Sequence, residues 1–363
     1  MSEITEPEAF VTVRREGTLT RITLSRPRAI NALSRAMVIA VRDAVLAAQR
    51  DGSAAIWLDG EGDRGFCGGG DVKAMVANGP ASSKSFLWHE YRADYAVANA
   101  SIPVIGVMDG ITMGGGIGLT GHAAIRLVTE RSRLAMPETR IGIVPDVGAN
   151  AIFANSPGRL GDLLAASSAS MTAADAIALG FADHQVAAAK LDDLRKEIAA
   201  GADPAEAVAA FAEAPAQSPL LQDREWCDPL FENALGDTAT TLADPVAASI
   251  RLIEALESSS EARATAIATE IRSVCPSAVV VALARNALAR ETGQGLNEAL
   301  REDYRVLPRL IARADFAEGI RAQLIDKDGK PRWQPARLED VSRAEIERIL
   351  DPQLGDDEIL LEF

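Results

Sequence analysis

The chain has 363 residues, a formal net charge of −15 and 48% hydrophobic residues. This composition is that of a folded globular protein, and the length predicts two structural units with a sizeable core. The acidic balance argues against a protein whose main task is to neutralise nucleic-acid phosphates.

Cysteine spacing and the first residues bear on the compartment. Cys67, Cys227 and Cys275 lie far apart and form no CxxC pair, so neither a disulfide framework nor a zinc ribbon is indicated. The histidines also lack metal-ligand spacing, and we expect no metal. The acidic first ten residues lack both the apolar segment of a secretion signal and the Arg-rich character of a mitochondrial presequence. We therefore expect a cytoplasmic protein.

The first half of the chain alternates strand-like and helix-like segments. The predicted strands are 10–15, 19–24, 54–58, 102–108, 125–129 and 133–136. Helices are predicted to begin after the N-cap Ser34, at Asp71 and at the glycine triplet 114–116. Such alternation implies an α/β core with parallel strand pairing.

After about residue 186 strand signals are absent, and Ala, Glu, Arg and Leu recur at helical spacing. The predicted helices are 191–200, 204–212, 244–258, 261–274, 277–291 and 296–314. Pro215 and Pro219 interrupt the pattern and predict a linker. We expect two units, an α/β core over residues 1–190 and a helical region over residues 191–363.

Two glycine-rich turns, residues 66–71 and 113–116, each follow a strand and precede a helix. Free N–H groups at a helix start attract negative charge, and glycine lets a ligand approach the backbone. Side by side, the turns would direct two N–H groups at one developing oxyanion. The alternative is that these glycines serve only tight turns and close packing.

A nucleotide-binding alternative comes from residues 116–121, which fit the pattern GxGxxG. A dinucleotide-binding fold places the first glycine directly at the end of a strand. Here residues 109–115 intervene, and the candidate acidic residue, Glu130, arrives early for the ribose position. The spacing therefore disfavours this alternative.

A third segment, residues 136–148, carries Glu138 and Asp146 among apolar residues, glycines and prolines. A carboxyl group in such surroundings can have a raised pKa and act as an acid, base or nucleophile. The alternative is helix-start chemistry, since Glu after Pro suits a first helical turn and Asp is a common N-cap. These residues alone leave both interpretations open.

The order of these segments resembles the enoyl-CoA hydratase/isomerase (crotonase) superfamily from about residue 10 to residue 190. Within it, the chain is most similar to the 3-hydroxyisobutyryl-CoA hydrolases. The segments that carry the resemblance are 89–91, 110–119, 136–148, 275–278 and 324–333. The last two extend the likeness over nearly the whole chain.

The resemblance implies an α/β fold, a crotonase-type spiral of ββα units, followed by a C-terminal helical region. It also implies that the N–H groups of Gly70 and Gly115 hold a thioester carbonyl, with Gly69 beside them in the substrate site. Hydratases of the superfamily carry one catalytic glutamate where this chain has Gly118 and another at the position of Glu138. With one carboxylate missing, addition of water across a double bond is disfavoured.

The activity that the resemblance implies is hydrolysis of a short 3-hydroxyacyl-CoA, namely 3-hydroxyisobutyryl-CoA in valine degradation. Glu138 would attack the carbonyl to give a mixed anhydride or would activate water, and both routes stay open. Asp146 and Glu90 would orient the hydroxyacyl group or the water. CoA is part of the substrate, so no separate cofactor is expected.

Two other activities stay open, an enoyl-CoA hydratase/isomerase and a non-catalytic acyl-CoA-binding protein. The expected partner is an acyl-CoA, with neither nucleic acid nor membrane. Superfamily members commonly form trimers or dimers of trimers, but the additional helices would cover the usual trimer face. Whether this chain forms a homo-oligomer stays open.

Overall fold

Two β-sheets organise the first part of the chain in this computed structural model, which describes residues 10–355 and 358–363. The strands are β1 Val11–Glu16, β2 Leu19–Leu24, β3 Ala55–Gly60, β4 Val104–Met108, β5 Ile111–Met113, β6 Ile125–Val128, β7 Arg133–Ala135, β8 Ser170–Thr172, β9 His184–Val186 and β10 Ala212–Glu213. The larger sheet has the order β1-β2-β3-β4-β6-β9-β10, and the smaller has the order β5-β7-β8. Pairing from β2 to β9 is parallel, as the alternation predicts.

Seventeen α-helices occur among the described residues. They are α1 Arg35–Ala48, α2 Val72–Asn78, α3 Pro80–Ala98, α4 Gly115–Gly121, α5 Ala149–Asn155, α6 Leu160–Ser167, α7 Ala173–Ala178, α8 Leu191–Ala199, α9 Pro204–Phe211, α10 Pro219–Leu235, α11 Thr238–Ala243, α12 Pro245–Glu257, α13 Ala262–Ser273, α14 Pro276–Thr292, α15 Leu296–Ile311, α16 Ala314–Ile320 and α17 Arg343–Leu350. Two shorter elements matter for the site, the 3-10 turn Glu138–Ile141 and the π-helical turn Arg321–Ile325.

Side-chain caps fix the starts of two helices that precede the site. The Ser34 hydroxyl accepts a hydrogen bond from the N–H of Met37, and α1 begins at the next residue. The carboxylate of Asp71 accepts from the N–H of Ala74 and caps α2 in the same way. Both caps confirm the helix starts predicted from the sequence.

Helix α4 lies close to the centre of the larger sheet because Gly106 on β4 has no side chain. A Cβ at Gly106 would come within 2.9 Å of the Thr120 side chain. The helix therefore packs directly on β4, and its first residue, Gly115, lies just after β5.

The linker predicted at Pro215 and Pro219 is confined to residues 214–218, which connect β10 to α10 without regular secondary structure. Pro219 is the first residue of the 17-residue helix α10. Proline is tolerated there because an N–H at the first helical position would have no acceptor within the helix. The Ser218 hydroxyl caps the helix by accepting from the N–H of Leu221. Proline thus starts a helix here, and α10 packs on α12.

Two further differences concern the second half. Strand signals do not end at residue 186, because β10 follows α9 directly and pairs antiparallel with β9. With two residues, β10 is too short to show a period. The predicted helix 296–314 is broken after Ile311, where α15 ends before α16.

Apolar side chains form two buried clusters, one on each side of the larger sheet. The smaller cluster includes Trp57 on β3 together with Leu194 and Ile198 on α8. The larger cluster contains side chains from both predicted units, for example Met37 and Leu307. The boundary at residue 190 stays a prediction.

Within residues 10–355 and 358–363, no single helix is both long enough and apolar enough to span a membrane. Helices α13 and α14, bent by 116° at their break, meet the criterion only as a pair.

We predict that Phe231→Ala lowers the free energy of unfolding by about 3–5 kcal/mol, because the ring is fully buried in the larger cluster. Leu221→Ala on the same helix is the control, since 40% of Leu221 is exposed. Denaturant unfolding of both variants measures the difference. Equal losses would mean that α10 does not pack on the core.

Candidate active site

The two glycine-rich turns lie side by side in the structure. The N–H of Cys67 donates to the carbonyl of Ile111 at 3.2 Å, and the N–H of Met113 donates to the carbonyl of Cys67 at 2.9 Å. A Cβ at Gly69 would lie 3.8 Å from the nitrogen of Gly115. These backbone bonds bring together the turns that the sequence predicts to be adjacent.

Gly70 and Gly115 each present a backbone N–H that secondary structure does not use. Leu33 donates to the carbonyl of Gly69 at 2.8 Å and accepts from the N–H of Asp71 at 2.9 Å. Leu33 thus bonds to the residues on both sides of Gly70, as in a parallel β-ladder. The N–H of Gly70 itself therefore points away from Leu33. Gly115 is the first residue of α4, and its N–H has no intrahelical acceptor. Both glycines line one cavity of about 280 Å³.

Glu138 lies in the wall of the same cavity, at the start of the 3-10 turn. Only 6% of the residue is exposed, and its Oε2 atom has no hydrogen-bond partner. A Cβ at Gly114 would lie 2.8 Å from Oε1, so the carboxyl group is close to the turn that carries Gly115. Burial raises the pKa of Glu138 well above its ordinary value, and the nearby Asp146 charge raises it further.

Asp146 belongs to the segment 145–148, called here the Asp146 loop, between the 3-10 turn and α5. Its Oδ2 accepts a 2.7 Å hydrogen bond from the hydroxyl of Tyr91 on α3. Burial raises the pKa of Asp146 to about 7, with repulsion from Asp303 adding to the rise and the Tyr91 bond opposing it. Asp146 therefore keeps its proton to a higher pH than an exposed aspartate does.

Glu90 completes the group of buried carboxyls around the cavity. A Cβ at Gly115 would collide with its Oε1 atom, so a side chain there would displace the Glu90 carboxyl. Burial raises the pKa of Glu90 well above its ordinary value, and repulsion from Asp146 and then Asp94 adds to this. The structure thus brings together all the predicted site residues around one cavity: Gly69, Gly70, Glu90, Gly115, Glu138 and Asp146. Their roles stay predictions.

Most other residues that line the cavity are apolar, and sequence reasoning missed them. They are Val72, Met75, Phe86, Leu87, Ile141, Ile143 and, from the π-helical turn, Leu324. Leu324 lies in segment 324–333, which carries part of the family resemblance, yet nothing in that segment reveals that it reaches the site. Long-range packing alone brings it there.

Asp94 is a further residue that sequence reasoning missed, and it carries a carboxyl group. It is fully buried on α3, and neither carboxyl oxygen has a hydrogen-bond partner. A Cβ at Gly118 would lie 2.7 Å from its Oδ2 atom and 2.7 Å from the Cβ of Val147. The space for a side chain at position 118 is therefore occupied. The sequence signal that could have found Asp94 is its spacing, because a residue four positions after Glu90 lies on the same face of the helix.

Among the residues described by the structure, no group of three or more His, Cys, Asp or Glu side chains is arranged to hold a metal ion.

The sequence profile of the enoyl-CoA hydratase/isomerase family matches residues 19–350. Among curated proteins, the chain is 35% identical over 352 residues to the rat protein named 3-hydroxyisobutyryl-CoA hydrolase, mitochondrial, covering 95% of this chain and 89% of that protein. The chicken protein of the same name is 32% identical over 363 residues and is matched over 92% of its length, with 98% of this chain covered. The resemblance predicted from the motifs is confirmed.

Solved structures confirm the fold class as well. The structure of a protein named carnitinyl-CoA dehydratase, from Mycobacterium thermoresistibile, superposes with a TM-score of 0.87 at 36% identity, covering 98% of this chain and 99% of that chain. The fold is α/β, a crotonase-type spiral with a C-terminal helical region. The cytoplasmic location expected from the sequence is contradicted, because both vertebrate relatives are named as mitochondrial proteins.

We predict that Asp94→Asn changes how stability depends on pH. Burial raises the pKa of Asp94 well above its ordinary value, so above about pH 4 the folded chain keeps a proton that the unfolded chain loses. Wild-type stability should then fall, relative to the variant, by about 1.4 kcal/mol per pH unit until the folded-state pKa is passed.

Urea unfolding of both proteins between pH 4 and pH 8 measures this difference. The matched control is Asp193→Asn, an exposed carboxyl on α8, which should follow the wild-type profile. Parallel curves for wild type and Asp94→Asn would contradict a buried, protonated Asp94.

Proposed function

The chain belongs to the enoyl-CoA hydratase/isomerase family, and we propose that it hydrolyses 3-hydroxyisobutyryl-CoA to 3-hydroxyisobutyrate and CoA. The observation that carries the proposal is the buried carboxyl of Glu138 in a cavity that two backbone N–H groups also line. The rat and chicken relatives named as hydrolases of this thioester support it, since the match covers nearly all of each chain.

Backbone amides supply the electrostatic part of the mechanism. The thioester carbonyl oxygen would accept hydrogen bonds from the N–H groups of Gly70 and Gly115. Negative charge grows on that oxygen as the carbonyl carbon becomes tetrahedral, so both bonds strengthen in the transition state. Each donor of this kind typically contributes about 2.7–4 kcal/mol.

Glu138 supplies the reactive carboxylate by one of two routes. In the first, its oxygen attacks the carbonyl carbon, CoA leaves as the thiolate and water then hydrolyses the mixed anhydride. In the second, Glu138 removes a proton from a water molecule that attacks the same carbon directly. A carboxyl with a raised pKa is a stronger base once ionised, which suits the second route.

Asp146 and Glu90 would hold the acyl group or the water. Asp146 has a pKa near 7 and an oxygen fixed by Tyr91, so it can accept from the substrate hydroxyl or exchange a proton with water. A cavity of about 280 Å³ has room for a short acyl group. CoA is part of the substrate, and the proposed reaction needs no separate cofactor. Its place would be in valine degradation.

A second candidate is dehydration or hydration of an acyl-CoA, which the dehydratase name of the Mycobacterium protein favours. Gly118 argues against it, because that position carries no carboxylate, and Asp94, whose carboxyl fills the space beside Gly118, does not line the cavity. Thiol release from 3-hydroxyisobutyryl-CoA supports hydrolysis. Loss of the enoyl absorbance of crotonyl-CoA supports hydration, and binding without turnover supports a non-catalytic protein.

We predict that Glu138→Gln reduces CoA release from 3-hydroxyisobutyryl-CoA by at least about 10³-fold, because the amide can neither attack nor accept a proton. Thioester binding should change little, since Gln has nearly the same shape. A thiol-trapping assay gives the rate, and isothermal titration gives the dissociation constant.

Glu130→Gln is the matched control, because Glu130 is exposed and accepts only from the N–H of Ala188 among the hydrogen bonds of the described residues. Its CoA release should equal that of wild type. Wild-type turnover by Glu138→Gln would remove Glu138 from the mechanism.

A further inference from the structure

A buried ion pair joins two helices of the C-terminal region. Arg285 on α14 and Asp303 on α15 form a salt bridge, and both side chains are almost completely inaccessible to solvent. Burying two charges carries a desolvation penalty that well-packed apolar side chains avoid, so the pair is weak evidence for stability alone. Its other hydrogen bonds indicate a further role.

Both members of the pair also bind the Asp146 loop. Arg285 Nη1 donates to the carbonyl of Pro145 at 3.1 Å, and the N–H of Gly148 donates to Asp303 Oδ2 at 2.8 Å. The two bonds hold the residue immediately before Asp146 and the residue two positions after it. The ion pair therefore fixes the backbone of the loop on both sides of Asp146.

The Asp146 loop has a conformation that depends on such support. Val147 has a φ of +51°, a left-handed conformation that a β-branched residue rarely adopts. Surrounding contacts must impose this conformation, because the isolated chain would relax to a negative φ. His122 gives one further contact, with its Nε2 atom 2.9 Å from the Val147 carbonyl oxygen.

The charges of Arg285 and Asp303 also affect the pKa of Asp146. Repulsion from Asp303 raises the pKa of Asp146, and attraction to Arg285 lowers it. The other titratable groups near Asp146 lie on α3 and in the 3-10 turn: Glu90, Tyr91, Asp94 and Glu138. Replacing Asp303 by Asn removes the repulsion and lowers the pKa of Asp146.

We propose that Arg285 and Asp303 are positioning residues. They hold the Asp146 loop so that the Asp146 carboxyl, hydrogen-bonded to the Tyr91 hydroxyl, faces the substrate in the cavity. This inference rests on the proposed thioester hydrolysis. It gives the C-terminal helices a direct part in the site, because α14 and α15 carry the groups that fix one of its carboxyls.

The test compares Asp303→Asn and Arg285→Lys with wild type in 3-hydroxyisobutyryl-CoA hydrolysis. We expect kcat to fall about 10- to 100-fold while KM stays within about threefold, because small displacements of a catalytic group affect the transition state more than ground-state binding. Arg285→Lys keeps the positive charge but loses the planar fork that reaches both acceptors. In Asp303→Asn, the limb of the pH profile due to Asp146 should also move to lower pH.

Asp162→Asn is the matched control. Asp162 is as deeply buried, and it accepts from Arg290 Nη1 at 3.0 Å on the same helix α14, but it does not line the cavity. This variant should lose thermal stability and keep kcat and the pH profile of wild type. Its result separates a general loss of stability from loss of positioning.

Each outcome decides the matter. Wild type without thiol release overturns the proposed function and the inference with it. An active wild type with wild-type kcat in folded Asp303→Asn and Arg285→Lys overturns the inference alone, as does an equal loss of kcat in Asp162→Asn. If Asp303→Asn does not fold, Arg285→Lys decides. Failure of both to fold, with Asp162→Asn folded, shows that the pair is structural and contradicts a positioning role.

Discussion

Backbone pairing between the segments around Cys67 and Thr112 is the constraint on which the site depends. It places the two glycine turns beside each other, so that Gly70 of one turn and Gly115 of the other line the same cavity. A side chain at Gly115 would displace the Glu90 carboxyl. Backbone hydrogen bonds therefore fix the positions of the two proposed oxyanion donors, and side-chain motion does not alter them.

Burial of acidic groups is the second determinant of the site's chemistry. Glu90, Asp94, Glu138 and Asp146 are all nearly inaccessible, and loss of hydration raises the pKa of each. Repulsion from Asp146 raises the pKa of the other three further, and repulsion from Asp303 raises that of Asp146. Ionising all four at once is unfavourable because like charges repel strongly in a dry cavity. Some of these carboxyls therefore keep a proton at a pH at which an exposed carboxyl has lost it. A proton held in the site suits a reaction in which a thiolate leaves and water is consumed.

Local features of the sequence were sufficient for the caps, the parallel strands and the glycine turns, because each depends on neighbouring residues. The same reasoning failed at Pro219, because a proline can end one helix or start another. The signal for a start was Ser218, an N-cap residue directly before the proline. The family resemblance supplied Glu90, Glu138 and Asp146 as site residues. It could not supply Asp94 beside Gly118 or the Arg285–Asp303 pair, because those contacts join residues far apart in the chain.

A crystal structure of Glu138→Gln with 3-hydroxyisobutyryl-CoA bound tests the proposed site directly. We expect the thioester carbonyl oxygen to lie within about 2.7–3.2 Å of the nitrogens of both Gly70 and Gly115. We also expect the side chain of residue 138 to face the carbonyl carbon. A carbonyl oxygen bound elsewhere, or a thioester outside the cavity between the glycine turns, would contradict the account.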